Sequence, residues 1–191
     1  MKKLYSILII AIISVNYLFS QTTWKADPMH SKLTFTVTHL SISDIFGLFQ
    51  KFDATVISSQ PDFSDAVFEL SADVASVNTE VKMRDDDLRS PHFFDIEKFP
   101  KMTFKSTSIS KTEENRYKLS GDLKLHGITK PVTMDLWFRG TINDAMSKKT
   151  KSGFQLTGIL RRSDFNIGGM YPSAAIGDEV NIKADGEFVK Q

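Results

Sequence analysis

The stretch YKLSGDLKLHGITKPVTMDLWF, residues 117–138, contains two alternating segments separated by a short turn. Apolar residues or glycine occupy every second position over 117–125, and apolar residues do so again over 132–138. Polar side chains fill nearly all the positions between them, so each segment has one apolar and one polar face, which is typical of antiparallel strands. Residues 126–131 contain Gly and Pro, and they predict a turn that joins the two strands in a hairpin.

The same period of two recurs along most of the chain. It is regular over residues 33–37, 67–74, 101–105, 154–160 and 180–188, and less regular in a further strand over 47–57. About eight such strands predict an all-β fold, an antiparallel up-and-down, lipocalin-like β-barrel. Only 77–99 breaks the pattern, where a short helix is predicted over 82–90, capped by Asn78 or Thr79 and ended by Pro91.

Composition excludes several classes of function. The chain has 191 residues, 41% of them hydrophobic, and balances 24 Lys and Arg against 23 Asp and Glu. This balance gives no basic surface for nucleic acid. The absence of cysteine excludes disulfides and thiolate metal sites. Four scattered histidines lack metal-ligand spacing, and no nucleophile elbow or phosphate-binding loop is present, so we predict neither a metal nor an enzyme.

Residues 1–20 have the layout of a secretory signal peptide. Lys2 and Lys3 precede a mostly apolar run, Leu4–Phe19, that is shorter than the roughly 20 residues of a membrane-spanning helix. Cleavage after Ser20 would leave residues 21–191 as one exported domain, periplasmic or secreted. The alternative is an uncleaved N-terminal anchor.

Small residues on the apolar faces bear on what the barrel contains. Gly121, Gly158, Gly186, Ala72 and Ala184 lie in mid-strand among Leu, Phe and Val. One interpretation is an apolar cavity for a long hydrophobic molecule, because a barrel of about eight strands can hold one small ligand. The other is that the glycines relieve curvature at barrel corners.

Two polar residues continue apolar series near strand ends. His39 follows the series 33, 35 and 37, and Arg162 follows the series 154–160. They can contact the polar head of an apolar ligand. Alternatively, His39 is a hydrogen-bonded core histidine, and Arg162 pairs with Asp164 or with an acid of 85–87.

A set of short motifs gives the chain a family resemblance. The motifs, in order, are Asp27-Pro28-Met29-His30-Ser31, Phe35-Thr36-Val37-Thr38-His39, Gly47-Leu48-Phe49, Asn78-Thr79, Arg84-Asp85, Leu88-Arg89-Ser90, Phe93-Phe94-Asp95, Thr103-Phe104-Lys105-Ser106, His126-Gly127-Ile128-Thr129-Lys130-Pro131-Val132 and Arg162-Ser163-Asp164-Phe165. With these motifs the chain resembles the YceI-like family of secreted bacterial polyisoprenoid-binding proteins with a lipocalin-like barrel, and the resemblance extends over essentially all of residues 24–189.

The resemblance implies an apolar channel that holds the tail of an isoprenoid quinone or polyprenyl phosphate, in a periplasmic carrier or store. The chain departs from the family at Asp87, where a histidine is common, and three adjacent acids at 85–87 would repel a phosphate head. It departs again at Asn166, where glycine is usual, although asparagine tolerates the left-handed backbone that such a turn requires.

The resemblance and the alternation together give the candidate ligand-binding residues. They are Phe35, Val37, His39, Phe68, Leu70, Phe93, Phe94, Leu119, Gly121, Met134, Leu136, Phe154, Leu156, Gly158, Arg162 and Ile182. No cofactor is predicted beyond a bound isoprenoid lipid.

Further partner hypotheses remain beside this lipid. They are transient membrane contact through the loop at Lys148, Lys149 and Lys151, and a homodimer through outer-wall Trp137 and Ile159. Two other functions also remain: an enzyme acting on a bound lipid with His39 as acid or base, and an envelope stress protein acting through protein partners.

Overall fold

The computed structural model describes residues 20–191; the predicted leader therefore lies outside the described residues, except for Ser20. In this part of the chain there are ten strands and one α-helix. The strands are β1 (Thr22–His39), β2 (Ser43–Phe49), β3 (Phe52–Ser58), β4 (Val67–Asp73), β5 (Val77–Asn78), β6 (Lys101–Glu113), β7 (Arg116–Leu125), β8 (Ile128–Asn143), β9 (Thr150–Arg161) and β10 (Ile176–Lys190). The helix, α1, spans Lys82–Arg89 between β5 and β6.

The strands form a closed antiparallel barrel, as the alternation predicts. The sheet runs β10-β9-β8-β7-β6-β4-β3-β1, and it closes because β1 also pairs with β10. Eight wall positions result, with β5 a two-residue addition beside β2.

One wall position is shared by two short strands. The N-terminal part of β1 pairs with β3, from Thr22 opposite Ser58, whereas its C-terminal part pairs with β2, from Leu33 opposite Phe49. The single strand predicted over 47–57 is therefore interrupted at residues 50–51, which explains its less regular alternation.

The predicted hairpin of residues 117–138 is present, but its turn is shorter than predicted because residues 128–131 already belong to β8. β7 and β8 pair from Leu125 opposite Ile128 onward, which leaves a two-residue turn. His126 and Gly127 both have positive φ, 50° and 76°. A two-residue turn of this type needs positive φ at both central positions, because its twist then matches that of the strands.

Aromatic side chains seal one end of the barrel, which we call the lower end. The connection between β3 and β4 turns inward and places Phe63, only 2% exposed, inside the barrel. Its ring centroid lies 5.4 Å from that of Trp24, 4.9 Å from Phe138 and 4.8 Å from Phe154. Such ring contacts add to the stabilisation from burial alone.

The opposite, upper end is closed by α1 and by two connecting segments, residues 90–100 and 166–175. α1 begins after Val81, which makes no side-chain capping hydrogen bond, so the predicted caps at Asn78 and Thr79 are wrong. Instead, the buried Asp85 carboxylate in the first turn accepts the Thr79 N–H and hydroxyl at 2.7 and 2.6 Å. The helix ends at Arg89, before Ser90 and Pro91, as predicted.

Among residues 20–191, no helix is long and apolar enough to cross a membrane.

Candidate functional site

A cavity of about 190 Å³ lies inside the barrel, between the aromatic lower end and the upper closing segments. Its wall is almost entirely apolar. On β10 its inward lining runs from Val180 through Ile182, Ala184 and Gly186 to Phe188. These eight residue steps correspond to about 26 Å along the strand, at ~3.3 Å per residue. The cavity is therefore elongated and suits a narrow apolar molecule.

Most of the predicted ligand-binding residues line this cavity. The eleven that do so are Phe35, Val37, Phe68, Leu70, Phe93, Phe94, Met134, Phe154, Leu156, Arg162 and Ile182. They come from five barrel strands, from the segment after α1 and from the turn after β9. Their side chains meet because the strands turn the same face toward the interior of the barrel. Ligand contact at these residues stays a prediction.

Five predicted residues do not line the cavity. Leu119 and Leu136 are inward and fully buried, but neighbouring side chains separate them from the open space. Gly121 and Gly158 face inward beneath other side chains. His39 is exposed to solvent at the upper end of β1.

His39 is the last residue of β1. The pairing of β1 with β10 is irregular here, and the additional residues lie on β10, since Val37 is opposite Val180 and His39 is opposite Ile176. The pairing with β2 continues in register to His39 opposite Ser43, so His39 is exposed at the upper end of the strand. The enzyme hypothesis that uses His39 as acid or base consequently loses its contact with a lipid inside the barrel.

The mid-strand glycines accommodate large neighbours instead of opening space. A Cβ atom added at Gly121 would lie 2.6 Å from Cζ of Phe104, and one at Gly47 would lie 2.3 Å from Cζ of Phe35. At Gly158 the side chain of Met134 plays the same part, at 3.1 Å. The reading of Gly121 and Gly158 as cavity lining is thus wrong, because an aromatic or long side chain covers each one.

Smaller side chains on the strands do contribute space. Ala54, Ala184 and Gly186 all line the cavity, although the Ser31 side chain restricts Gly186. On β4, β9 and β10 the inward series changes from Phe68, Phe154 and Phe188 toward the lower end to smaller aliphatic residues further up.

Arg162 is the only charged residue among the eleven predicted residues that line the cavity, and its guanidinium is fully engaged. Nε donates to the Gly177 carbonyl at 3.2 Å. Nη1 donates to the carbonyls of Ile167 and Gly168 at 3.0 and 2.7 Å, and Nη2 donates to those of Tyr171 and Ile176 at 2.7 and 2.9 Å. An arginine has five N–H donors.

Arg162 therefore organises the backbone of the upper end. All five of its acceptors lie within 167–177, the segment that leads into β10. The predicted pairing with an acid is wrong: Arg162 forms no ion pair with an acid of 85–87, and Asp164 pairs with Lys130 at 2.7 Å instead. With every donor used, it has none left for a ligand.

Phe93 and Phe94 connect the upper closing segments to the cavity wall. Phe93 is buried and stacks on Tyr171 with ring centroids 5.3 Å apart, whereas Phe94 contacts Phe49 at 5.8 Å. Both face the cavity. They anchor the segment after α1 to the barrel and form the roof of the cavity.

Several lining residues were missed by sequence reasoning. Some belong to the same alternating series and could have been found there: Leu33, Met102, Phe104, Leu123, Leu125, Leu160, Val180 and Phe188. Others lie outside any regular strand pattern, so the period gives no signal for them: Leu88, Phe165, Ile167 and Ile176.

A charged cluster lies on the outer wall, away from the cavity. Asp27, His30 and Glu187 have potential ligand atoms within 4.8 Å of one another. The Lys151 ammonium lies 3.0 Å from Glu187 Oε2 and 3.9 Å from Asp27 Oδ2, so a metal ion would have to displace it. The hydrogen bond from His30 lowers the pKa of Asp27, and the bond to Glu187 raises the pKa of Lys151. The cluster ties β1 to β9 and β10.

Comparison with known proteins places this geometry in a family. The family model of the YceI-like domain matches residues 24–188. Protein YceI of Salmonella newport is 36% identical over 138 residues, 72% of this chain and 71% of that protein.

Solved structures share the fold. BcnA of Burkholderia cenocepacia has a TM-score of 0.73 at 26% identity, over 86% of this chain and 98% of that one. A polyisoprenoid binding domain from Saccharophagus degradans has a TM-score of 0.68 at 15% identity, over 90% of this chain and all of that domain, which establishes likeness of fold.

Proposed function

This chain belongs to the YceI-like domain family, and we propose that its barrel binds the hydrocarbon tail of a polyisoprenoid lipid. The observation that carries the proposal is the elongated, apolar cavity along the barrel axis. The description of the Saccharophagus degradans domain as polyisoprenoid binding supports the choice of ligand class.

Burial of the tail supplies the binding energy. Each methylene removed from water contributes roughly 0.8 kcal/mol before ordering costs. A cavity of about 190 Å³ exceeds the ~150 Å³ that suffices for benzene, but it is smaller than the ~300 Å³ of common ligand pockets. It therefore accommodates a short stretch of tail, and a longer tail requires the roof at Phe93 and Phe94 to move.

The upper end is the entrance in this proposal. The lower end is sealed by aromatic rings inside the barrel, whereas the upper end is closed by connecting segments. Exposed apolar side chains occur at this end, on α1 at Met83 and on the connecting segments at Leu40, Ile42, Val81 and Met170. Their location favours transient contact between the upper end and a membrane surface, from which a lipid can be taken up.

The outer wall gives less support to a homodimer. Arg116 and Arg139 cover the Trp137 ring, with guanidinium carbons 3.9 and 4.0 Å from its centroid. Ile159 is 59% exposed. One exposed side chain falls far short of the ~800 Å² per partner that stable interfaces bury.

The complete proposal is a periplasmic carrier or store, exported by the leader of residues 1–20. We take it to bind its lipid without chemical change, because His39, the proposed acid or base, is outside the cavity. Export is tested by expressing the full chain and measuring the mature mass and the cell fraction that contains it.

Lipid binding is tested by native mass spectrometry of the purified protein, followed by solvent extraction and identification of the released molecule. An isoprenoid released at about one per chain is expected. Protein that carries no lipid after expression, and takes up none from a polyprenol suspension, would refute the proposal.

Membrane contact is tested by flotation with neutral phosphatidylcholine vesicles. The double variant Ile42→Asp and Met83→Asp is expected to reduce vesicle binding. The control, Met146→Asp, changes a side chain that is equally exposed but lies in the hairpin at the lower end. Equal loss in both variants would place the contact elsewhere.

A further inference from the structure

We infer that this site selects its ligand by the hydrocarbon tail and prefers an uncharged head group, so that polyprenols and isoprenoid quinones bind better than polyprenyl phosphates. This inference rests on the proposed lipid binding and identifies the class of lipid. It follows from where the positive charges are and what each of them contacts.

The cavity offers no buried cation to a phosphate. Arg162 is buried at its wall, but its five N–H donors all go to backbone carbonyls of 167–177. Among residues 20–191, no buried side-chain nitrogen or oxygen lacks a hydrogen-bond partner. An ionised phosphate drawn inside would lose its hydration without replacement, which is prohibitively costly.

The entrance is no more favourable to an anion. The two stretches that surround it, residues 80–100 and 161–179, contain nine Asp or Glu and six Lys or Arg. At neutral pH this region repels a phosphate of charge ~−1.5 to −2.

The cations of these two stretches are also engaged. Several pair with carboxylates: Lys82 with Asp86 at 2.5 Å, His92 with Asp87 at 3.4 Å, Lys98 with Asp95 at 2.8 Å and Arg161 with Glu179 at 3.8 Å. Arg84 donates to the Thr79 hydroxyl and carbonyl, and Arg89 donates to the carbonyls of Ala75 and Val77. A phosphate would have to compete with these partners.

One lysine beside the cavity is the exception. Lys32 contributes to the lining from the outer side of β1, is exposed, and forms no ion pair among the described residues. Because its side chain points away from the interior and lies well below the upper end of β1, it does not offer a charge to a head group in the cavity or at the entrance.

The experiment compares three ligands with the same tail of four isoprene units: geranylgeraniol, menaquinone-4 and geranylgeranyl monophosphate. Affinity for the delipidated full barrel is measured by equilibrium dialysis at low and high salt. The alcohol and the quinone are expected to bind within about threefold of each other. The phosphate is expected to bind at least tenfold more weakly at low salt, with the difference narrowing as salt screens the acids.

Each other outcome contradicts a specific step. Phosphate binding equal to or tighter than alcohol binding would overturn the inference. If none of the three ligands binds, the proposed lipid binding itself is refuted. This outcome differs from failure of the head-group inference, in which the alcohol still binds.

Discussion

Replacing Arg162 by methionine should destabilise the barrel far more than the same change at its neighbour. Arg162→Met keeps an unbranched apolar side chain but removes five hydrogen bonds of 2.7–3.2 Å to backbone carbonyls. Hydrogen bonds to charged groups contribute ~1.5–3 kcal/mol each and are not additive within one network. Since some of the carbonyls can be rehydrated, we expect the free energy of unfolding to fall by about 3–5 kcal/mol.

Arg161→Met is the matched control. The Arg161 side chain is exposed, and its ion pair with Glu179 spans 3.8 Å. Exposed pairs of this kind contribute at most ~1 kcal/mol. In a chain of this size 1 kcal/mol shifts the melting temperature by ~2–4 °C, so Arg162→Met should melt about 6–20 °C below the wild type and Arg161→Met within about 4 °C of it.

The assay is urea and thermal unfolding followed by circular dichroism, with hydrogen exchange of residues 166–177 as a local measurement. Arg162→Met should accelerate exchange in this segment first, because its carbonyls are the acceptors. If Arg162→Met is too unstable to purify, Arg162→Lys replaces it, because lysine keeps the charge but lacks the five-donor fork. Its free energy of unfolding is expected to lie between those of the two methionine variants. Equal unfolding free energies for the Arg161 and Arg162 variants would refute the assigned role.

Three further predictions concern the cavity, the lower end and acid stability. Ala184→Phe adds six carbon atoms to a lining position and should lower lipid occupancy at least tenfold by mass spectrometry, whereas the adjacent outward Lys183→Phe should leave occupancy unchanged. Phe63→Ala removes the central ring of the lower end and should cost about 3–5 kcal/mol in urea unfolding; a loss under 1 kcal/mol would contradict the sealing role. Burial acts to raise the pKa of Asp65, but hydrogen bonds from Ser58 and Ser59 lower this pKa to about 2. The ionised Asp65 carboxylate therefore stabilises the fold above the unfolded pKa of ~3.9, and this stabilisation is lost as the pH falls toward 2. Between pH 5 and pH 2.5 the urea midpoint of Asp65→Asn should fall less than that of the wild type.

The strands and their inward faces could be predicted from sequence because burial on one face imposes a period of two. The inward faces of the series 117–125 and 132–138 are confirmed, whereas the register, with Leu119 opposite Met134, follows from a turn that is shorter than predicted. Asn166 also adopts the predicted left-handed backbone, with φ of 55°. Each of these features is local, so neighbouring residues alone determine it.

Features that depend on distant residues could not be predicted. The irregular pairing beside His39 depends on β10, far away in the chain. The rings that cover Gly47 and Gly121 come from neighbouring strands, and the period says nothing about whether a small residue is open or covered. The acceptors of Arg162 are backbone carbonyls, which no sequence pattern marks.

The two ends of the barrel differ in what opening them would cost. At the lower end, opening would separate Phe63 from three aromatic rings and expose apolar surface that is part of the common core. At the upper end, the segment 167–177 contributes Ile167 to the core and is further held by five hydrogen bonds from Arg162 and by the stacking of Phe93 on Tyr171. Polar bonds can be exchanged for bonds to water, whereas buried rings have no such substitute. The upper segment can therefore open while the lower end and the barrel wall stay folded, which is the property that a lipid entrance requires.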